Sequence, residues 1–153
     1  MQITAFSDYA LRVLLYLGLQ TSDRLATIQE IAAAYAIPQN HLMKVVRQLG
    51  IKGYIETRRG KGGGIRLLQR PEDIVIGQVL RDTEDNLNLV ECFSPADSHC
   101  VIQPACRLQG ILHGALAAMF AELDRHTLAE LLQPRGRLRG VLAPPPARRG
   151  APR

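Results

Sequence analysis

Residues 38–68 read PQNHLMKVVRQLGIKGYIETRRGKGGGIRLL. Leu42, Val45, Val46 and Leu49 fall at i, i+3, i+4 and i+7, the pattern of a helix that buries one stripe. The spacing predicts a helix from about residue 38 to 52. Pro38 suits its first position, and Ile37, preceding a proline, is biased away from helix. The rest of its surface carries Gln39, Asn40, His41, Lys44, Arg47 and Gln48. Two short alternating runs follow, 53–58 and 65–68, separated by Arg59-Gly-Lys-Gly-Gly-Gly64. Alternation predicts strands. The four glycines permit the positive φ of a tight hairpin tip, and Arg58, Arg59 and Lys61 crowd that tip. A nucleotide phosphate loop is the rival reading of the glycines. The pattern is not G-x-x-x-x-G-K-[ST], however, and no helix starts after it.

Upstream, Ser7 or Asp8 is placed to cap a first helix, with Leu11, Leu14, Leu15 and Leu19 as its apolar stripe. Asp8 and Arg12 lie one turn apart on one face. After a polar turn at residues 21–24, Thr27-x-x-Glu30 forms a capping box, and Ile28, Ile31 and Ala32 give a second helix its apolar face. Two short helices with a tight connection, the second turning amides and cations outward, fit a helix-turn-helix. On the second helix alone, a solvated polar face is an equal reading. The basic hairpin directly behind it reads as a wing, expected to touch phosphates or the minor groove. The expected fold class is mainly α with a small β-hairpin wing, a winged helix-turn-helix followed by a long dimerisation helix. Gln39, Asn40, His41, Lys44 and Arg47 on the helix and Arg58, Arg59 and Lys61 on the wing are the expected DNA contacts. Amides pair with adenine edges, and Lys or Arg with guanine or phosphate.

Downstream, residues 71–76 lead into a short helix with Ile76, Val79 and Leu80 inward. Residues 84–91 then run into CFSPADSHCVIQPAC, residues 92–106, which holds all three cysteines of the chain. No apolar run approaches the ~20 residues needed to span a bilayer, and no secretion signal precedes the first helix. A cytoplasmic setting is expected, with no membrane contact. Thiols stay reduced there, and clustered cysteines serve metal or redox chemistry. The odd count leaves one thiol without an internal disulfide partner. Thiolates bind zinc, copper(I) or iron–sulfur clusters. The spacing C-x7-C-x5-C lacks the paired C-x2–4-C of structural zinc, which modestly favours a cluster. His99 and His113 are the nearby candidates for a fourth ligand, and neither is well placed by spacing.

A helix at 107–126 carries Leu108, Ile111, Leu112, Ala115, Leu116, Met119, Phe120 and Leu123, a face too wide for a single neighbour. Part of it is expected to pack on a second copy, with Gly110, Gly114, Ala117 and Ala118 allowing close approach. Thr127-x-x-Glu130 is a second capping box, followed by Leu128, Leu131 and Leu132. Residues 1–133 thus form one winged helix-turn-helix domain with its cysteine loop and dimerisation helix, and 134–153 a basic Pro/Arg-rich tail expected to be disordered.

The 19 Lys and Arg exceed the 14 Asp and Glu only because of that tail, which has six Arg and no acid. The local signal is stronger. Residues 39–70 hold Lys44, Arg47, Lys52, Arg58, Arg59, Lys61, Arg66 and Arg70 against Glu56 alone, an electrostatic footprint for phosphate. An enzyme is not expected, since the chain shows no nucleophile–base pair, H-E-x-x-H or phosphate loop.

Several ordered segments together resemble the Rrf-type winged-helix iron–sulfur regulators, and within them the nitric-oxide-sensing repressors. They are MQITAFSDYALR at 1–12, NHLMKVV at 40–46, GYI at 53–55, RGKGGGIRL at 59–67, IGQVLR at 76–81 and PACRL at 104–108. The resemblance spans residues 1 to about 133. It implies a homodimer on an inverted-repeat promoter, with a 4Fe-4S cluster favoured and 2Fe-2S allowed. Cys92, Cys100 and Cys106 would be ligands, the partner's Asp8 the fourth, and Arg12 would hold Asp8 or lie close to the cluster. The cluster-assembly branch carries a histidine three residues after its last cysteine, where this chain has Gln109. The implied function is a transcriptional repressor that binds DNA with its cluster intact and releases it when nitric oxide damages the cluster. The alternatives are a relative sensing redox or iron–sulfur status, a zinc-stabilised DNA-binding protein, and a small electron-transfer protein with a vestigial helix-turn-helix.

Overall fold

In a computed structural model of the chain, which describes residues 2–20, 24–94 and 98–142, the first helix starts earlier than expected. Thr4 is the N-cap of α1 (Ala5–Gly18), and its side chain accepts from the Ser7 amide at 3.3 Å. Ser7 and Asp8 lie inside the first turn. Of the expected stripe of α1, Leu14 and Leu19 are buried, together with Ala10, Val13 and Leu17, and Leu11 and Leu15 sit at its half-buried margin. Small Ala10 and β-branched Val13 had been passed over in favour of leucines, although a close helix crossing selects for compact side chains.

Helix α2 (Ile28–Tyr35) begins at the expected capping box. Glu30 N–H donates to Thr27 Oγ1 at 3.2 Å, and Thr27 N–H donates to Glu30 Oε2 at 2.7 Å. It ends where Ala36 takes the left-handed conformation, φ 53°. That turn, sealed by Ile37 N–H to Ala32 O at 3.1 Å, delivers the chain into α3 (Gln39–Ile51). The predicted stripe of α3, Leu42, Val45, Val46 and Leu49, is buried. Each such side chain contributes roughly 1.5–3 kcal/mol of transfer free energy.

Strands β1 (Ile55–Arg58) and β2 (Gly64–Leu67) pair antiparallel, with Ile55 opposite Leu67 and Arg58 opposite Gly64. The hairpin is anchored from behind by an Ala26–Ile65 bridge, its two hydrogen bonds at 2.9 and 2.7 Å. A Cβ on Gly64 would meet the Ala26 carbonyl at 2.7 Å, so this glycine permits the bridge. Gly60 and Gly62 take φ of 95° and 78° at the tip, a region side chains disfavour.

A 3-10 turn at Pro71–Asp73 leads to α4 (Ile76–Thr83), which buries Ile76, Gly77, Val79, Leu80 and Thr83. Two further 3-10 turns, Glu91–Phe93 and Gln103–Ala105, flank the cysteine segment. Helix α5 (Arg107–Leu123) follows, shorter than the expected 107–126, and buries Phe120 alone. The chain then returns to the domain: Leu128 N–H donates to Ile74 O at 2.8 Å and Ile76 N–H to His126 O at 3.0 Å. In α6 (Leu128–Leu131), Leu128 is buried, and Leu132 just after it packs against Gly18. The second capping box does not fully close: the Thr127 side chain accepts no cap hydrogen bond, and Glu130, whose carboxylate interacts with the Thr127 backbone, also pairs with His126 Nδ1 at 2.7 Å.

The tail expected to be disordered from residue 134 contains a helix, α7 (Arg135–Leu142). Leu138 and Leu142 pack against the core, and Arg139 Nε donates to the Leu19 carbonyl at 3.0 Å at the end of α1. Two leucines four residues apart suffice to dock a short helix once a free helix end offers carbonyls to arginine. Residues 143–153 and the polar turn at 21–23 lie outside the described residues. Among the described residues no helix is long and apolar enough to cross a membrane.

Candidate nucleic-acid interface and cysteine loop

Burial of one stripe of α3 leaves Gln39, Asn40, His41, Lys44 and Arg47 exposed, as expected. Gln48 faces the other way and donates to the Asp82 carbonyl at 3.4 Å. Met43 is 60% exposed on the polar face. It was missed by a reading that sought polar contacts, yet an apolar side chain among amides and cations can meet a thymine methyl. Its signal in the sequence was an apolar residue off the buried stripe. The ring of His41 lies 6.1 Å from that of Tyr9, so α1 braces the start of α3.

The basic block divides into two sets. Lys52 pairs with Asp82 at 2.8 Å, Arg66 with Glu56 across the hairpin, and Arg70 with Asp73 at 2.8 Å. Among the described residues Lys44, Arg47, Arg58, Arg59 and Lys61 have no carboxylate partner within 4.0 Å, and all five are exposed. These five are the cations the sequence assigned to DNA. Exposed cations without internal partners on one helix–hairpin unit can neutralise phosphates without first breaking an ion pair.

The three cysteines are free thiols: Cys92 is buried, and Cys100 and Cys106 are half-buried. Cys92 is held against α5 from two sides. Gln109 Nε2 donates to its carbonyl at 2.9 Å, and the neighbouring Phe93 ring stacks on His113 at 3.8 Å and 5°. Gln109 and His113 thus have structural work in this chain. Cys106 is the N-cap residue of α5 and makes no side-chain cap bond, so its sulfur sits at the positive end of a helix. Three reduced thiols on one loop are a donor set suited to iron. Among the described residues, however, no three His, Cys, Asp or Glu side chains converge as on a metal. One copy of the chain fits the cluster in donor chemistry and does not by itself complete its cage.

Asp8 is half-exposed, with both carboxylate oxygens engaged by Arg12: Nε donates to Oδ1 at 3.1 Å, and a second nitrogen lies 2.8 Å from Oδ2. The Arg12 guanidinium in turn lies 5.8 Å from the centre of the Tyr35 ring. Burial pushes the Tyr35 phenol up to about 12, against the lowering influence of Arg12. Asp8 is therefore oriented by Arg12 on α1, next to Tyr9, which meets His41 of α3.

The chain matches the family model described as Rrf2, iron-dependent transcriptional regulator, over residues 3–134. It is 53% identical over 142 residues to the HTH-type transcriptional regulator NsrR of Geobacillus kaustophilus, spanning 93% of this chain and 97% of that one. It is 50% identical over 133 residues to NsrR of Bacillus subtilis, spanning 87% and 91%. The structure of the oxidised form of Staphylococcus aureus CymR matches with a TM-score of 0.69 at 23% identity, covering 87% of this chain and 97% of that one, which shows the shared fold. With a buried α3 stripe, a glycine-tipped wing and a match over nearly the whole domain, this chain belongs to the Rrf2 family of transcriptional regulators.

Proposed function

We propose that this regulator is a homodimeric repressor that binds promoter DNA while its cysteine loop holds an iron–sulfur cluster, and releases the DNA on exposure to nitric oxide. The observation that carries the DNA-binding part is the division of the basic block into paired structural cations and five unpaired, exposed ones on α3 and the wing. Two copies offer two α3 helices to successive major grooves, which requires an inverted repeat with half-sites about one helical turn apart. Asn40 and Gln39 read base edges, Met43 adds an apolar contact, and the wing cations fix register on phosphate.

For the sensing part, Cys92, Cys100 and Cys106 would hold the cluster, favoured as 4Fe-4S with 2Fe-2S allowed, and Asp8 of the partner subunit would complete the set. The group, when bound, supplies an iron centre reactive toward nitric oxide and a joint between the two subunits. Arg12 keeps the Asp8 carboxylate oriented. A carboxylate is a harder and weaker ligand than thiolate, so Asp8 of the partner subunit would be the most labile of the four ligands. High identity to proteins named NsrR supports this reading.

An anaerobic titration of holoprotein and apoprotein against the cognate promoter, followed in parallel by visible absorption with and without nitric oxide, tests it. The expected outcome is an affinity loss of about 10- to 100-fold on cluster loss, with a steep fall in affinity with salt. Equal binding by holoprotein and apoprotein sinks the sensing mechanism. A colourless, zinc-loaded protein of full affinity returns the zinc-stabilised reading.

A further inference from the structure

Three polar residues at the end of α4 each tie it to a different part of the molecule. Arg81 faces α5. Its guanidinium lies 4.4 Å from the centre of the Phe120 ring and donates to both Asp124 oxygens at 2.7 Å. Asp82 faces α3 and the wing. Its carboxylate accepts from Lys52 Nζ at 2.8 Å, Tyr54 Oη at 2.7 Å and Gln78 Nε2 at 3.3 Å, and its carbonyl accepts from Gln48 at 3.4 Å. Glu84 faces α1. Its Oε1 accepts from both the amide of Thr4, at 2.8 Å, and its hydroxyl, at 3.0 Å. Thr4 is the N-cap of the helix that carries Asp8 and Arg12. Beyond Glu84 the chain runs directly to Cys92.

We propose that this turn, Arg81-Asp82-Thr83-Glu84, couples the cysteine loop and α5 to the DNA-reading unit, with Asp82 as the positioning residue for α3 and the wing. The inference rests on the reading of the cysteine loop as the sensor. Asp82 is suited to the task because it holds both sides of a joint. Gln48 and Lys52, one turn apart, fix the last turn of α3, and Tyr54 fixes the approach to β1. Tyr54 is 4% exposed, and its hydroxyl donates into the Asp82 carboxylate. Burial and that hydrogen bond raise the phenol above its ordinary range. Burial alone would raise the Asp82 carboxyl as well, and the bonds from Lys52, Tyr54 and Gln78 outweigh it, leaving Asp82 below the usual carboxylate range. Asp82 is therefore a fixed anion from which both DNA-contacting elements hang. A shift of α4, driven from α5 through Arg81 or from the loop through residues 84–92, moves α3 and the wing together.

The approach of α4 to α5 leaves no slack in the joint. A Cβ on Gly77 would lie 2.0 Å from Asp124 Oδ1, so the carboxylate that binds Arg81 rests on bare backbone.

The test compares Asp82→Ala with the wild type, each as holoprotein and apoprotein, by anaerobic fluorescence anisotropy on promoter DNA. Visible absorption and sedimentation are recorded on the same samples. In Asp82→Ala the holoprotein is expected to lose about tenfold in affinity, toward the apoprotein value, with absorption and oligomeric mass unchanged and apoprotein affinity retained. A purely structural role would lower holoprotein and apoprotein affinity together. That outcome, or an unchanged ratio between the two, overturns the proposal. Asp82→Asn, which keeps an acceptor for Tyr54 and removes the charge facing Lys52, should fall between. Hydrogen exchange of the apoprotein gives a reading independent of the cluster. Residues 48–57 should exchange faster in Asp82→Ala while residues 28–35 do not, and equal exchange at 48–57 overturns the proposal. If Asp82→Ala fails to fold, Glu84→Ala is read by the same ratio. If wild-type holoprotein and apoprotein bind alike, the sensor reading fails first and takes the coupling with it. A wild-type difference that survives in the variant defeats the coupling alone.

Discussion

Helix α3 has 13 residues and buries four of its apolar side chains, whereas α5 has 17 residues, is richer in apolar side chains, and buries Phe120 alone. On α5, Leu108 is 57% and Ile111 66% exposed, and a Cβ on Gly110 or Gly114 would meet nothing within 4 Å. Hydrophobicity and burial are thus inverted between the two helices. Helix α3 buries its apolar face in its own domain and leaves exposed the polar face proposed to meet DNA. Helix α5 is apolar along a face its own domain does not cover, and a contiguous exposed apolar face favours association. The difference gives the two helices different surroundings: one side of α3 is covered by its own domain, and the apolar face of α5 is the one proposed to meet a second copy of the chain. The cysteine loop lies between them in sequence.

Substitution should separate these two kinds of apolar residue, and the largest effect is expected in α3. Leu42 is fully buried, so Leu42→Ala should lower the unfolding free energy by about 2–5 kcal/mol, read by urea denaturation of the apoprotein. Ile111→Ser should keep the far-ultraviolet circular dichroism of a folded chain and shift sedimentation from dimer to monomer. A dimer that survives this change would move the subunit joint off α5. A smaller effect is expected where the two regions touch. Gly77→Ala places a methyl in the space of the Asp124 carboxylate, and the repacking should cost about 1–3 kcal/mol. An unchanged melting temperature would show that α5 swings freely against α4.

The fold of the helix–hairpin half was legible in the sequence because its signals are local. A stripe at helical spacing, a proline at a helix start and glycines between two cations each constrain a few adjacent residues, and the structure follows them. Which cations are left over was not legible. Lys52 and Arg66 look no different in the sequence from Lys44 and Arg58, and only the fold brings Asp82 to Lys52 across 30 positions. The role of Asp82 was hidden for the same reason, since it sits in an acidic run with no motif around it. Only Leu14 and Leu19 of the expected α1 stripe are buried, because leucine weighs heavily in a periodicity reading, whereas Ala10 and Val13 are buried by the closeness of the neighbouring helix. The docking of α7 was invisible amid arginine and proline, since it depends on carbonyls at the end of α1 more than a hundred residues away.

The two Thr-x-x-Glu motifs give the smallest and most controlled contrast, one in each region. At Thr27 both hydrogen bonds of the box form. The motif is followed by a helix of 8 residues whose inner face is packed, so the first turn has no freedom to fray. At Thr127 the same residue types precede a helix of only 4 residues. His126, next to the threonine, competes with the Thr127 backbone for Glu130, and Glu122 at the end of α5 shares the imidazole from the other side at 3.2 Å. Hydrogen bonds from the imidazole to Glu130 and Glu122 raise its pKa above its ordinary value, which keeps the competing pair in place in mildly acidic solution. Thr27→Ala should therefore cost about 1 kcal/mol, and Thr127→Ala less than about 0.5 kcal/mol, in the same denaturation experiment. His126→Ala frees Glu130, and in that background Thr127→Ala should cost more than it does alone. Equal costs for Thr27→Ala and Thr127→Ala in the parent chain would mean that both boxes close in solution, and that the competition from His126 does not decide how α6 begins.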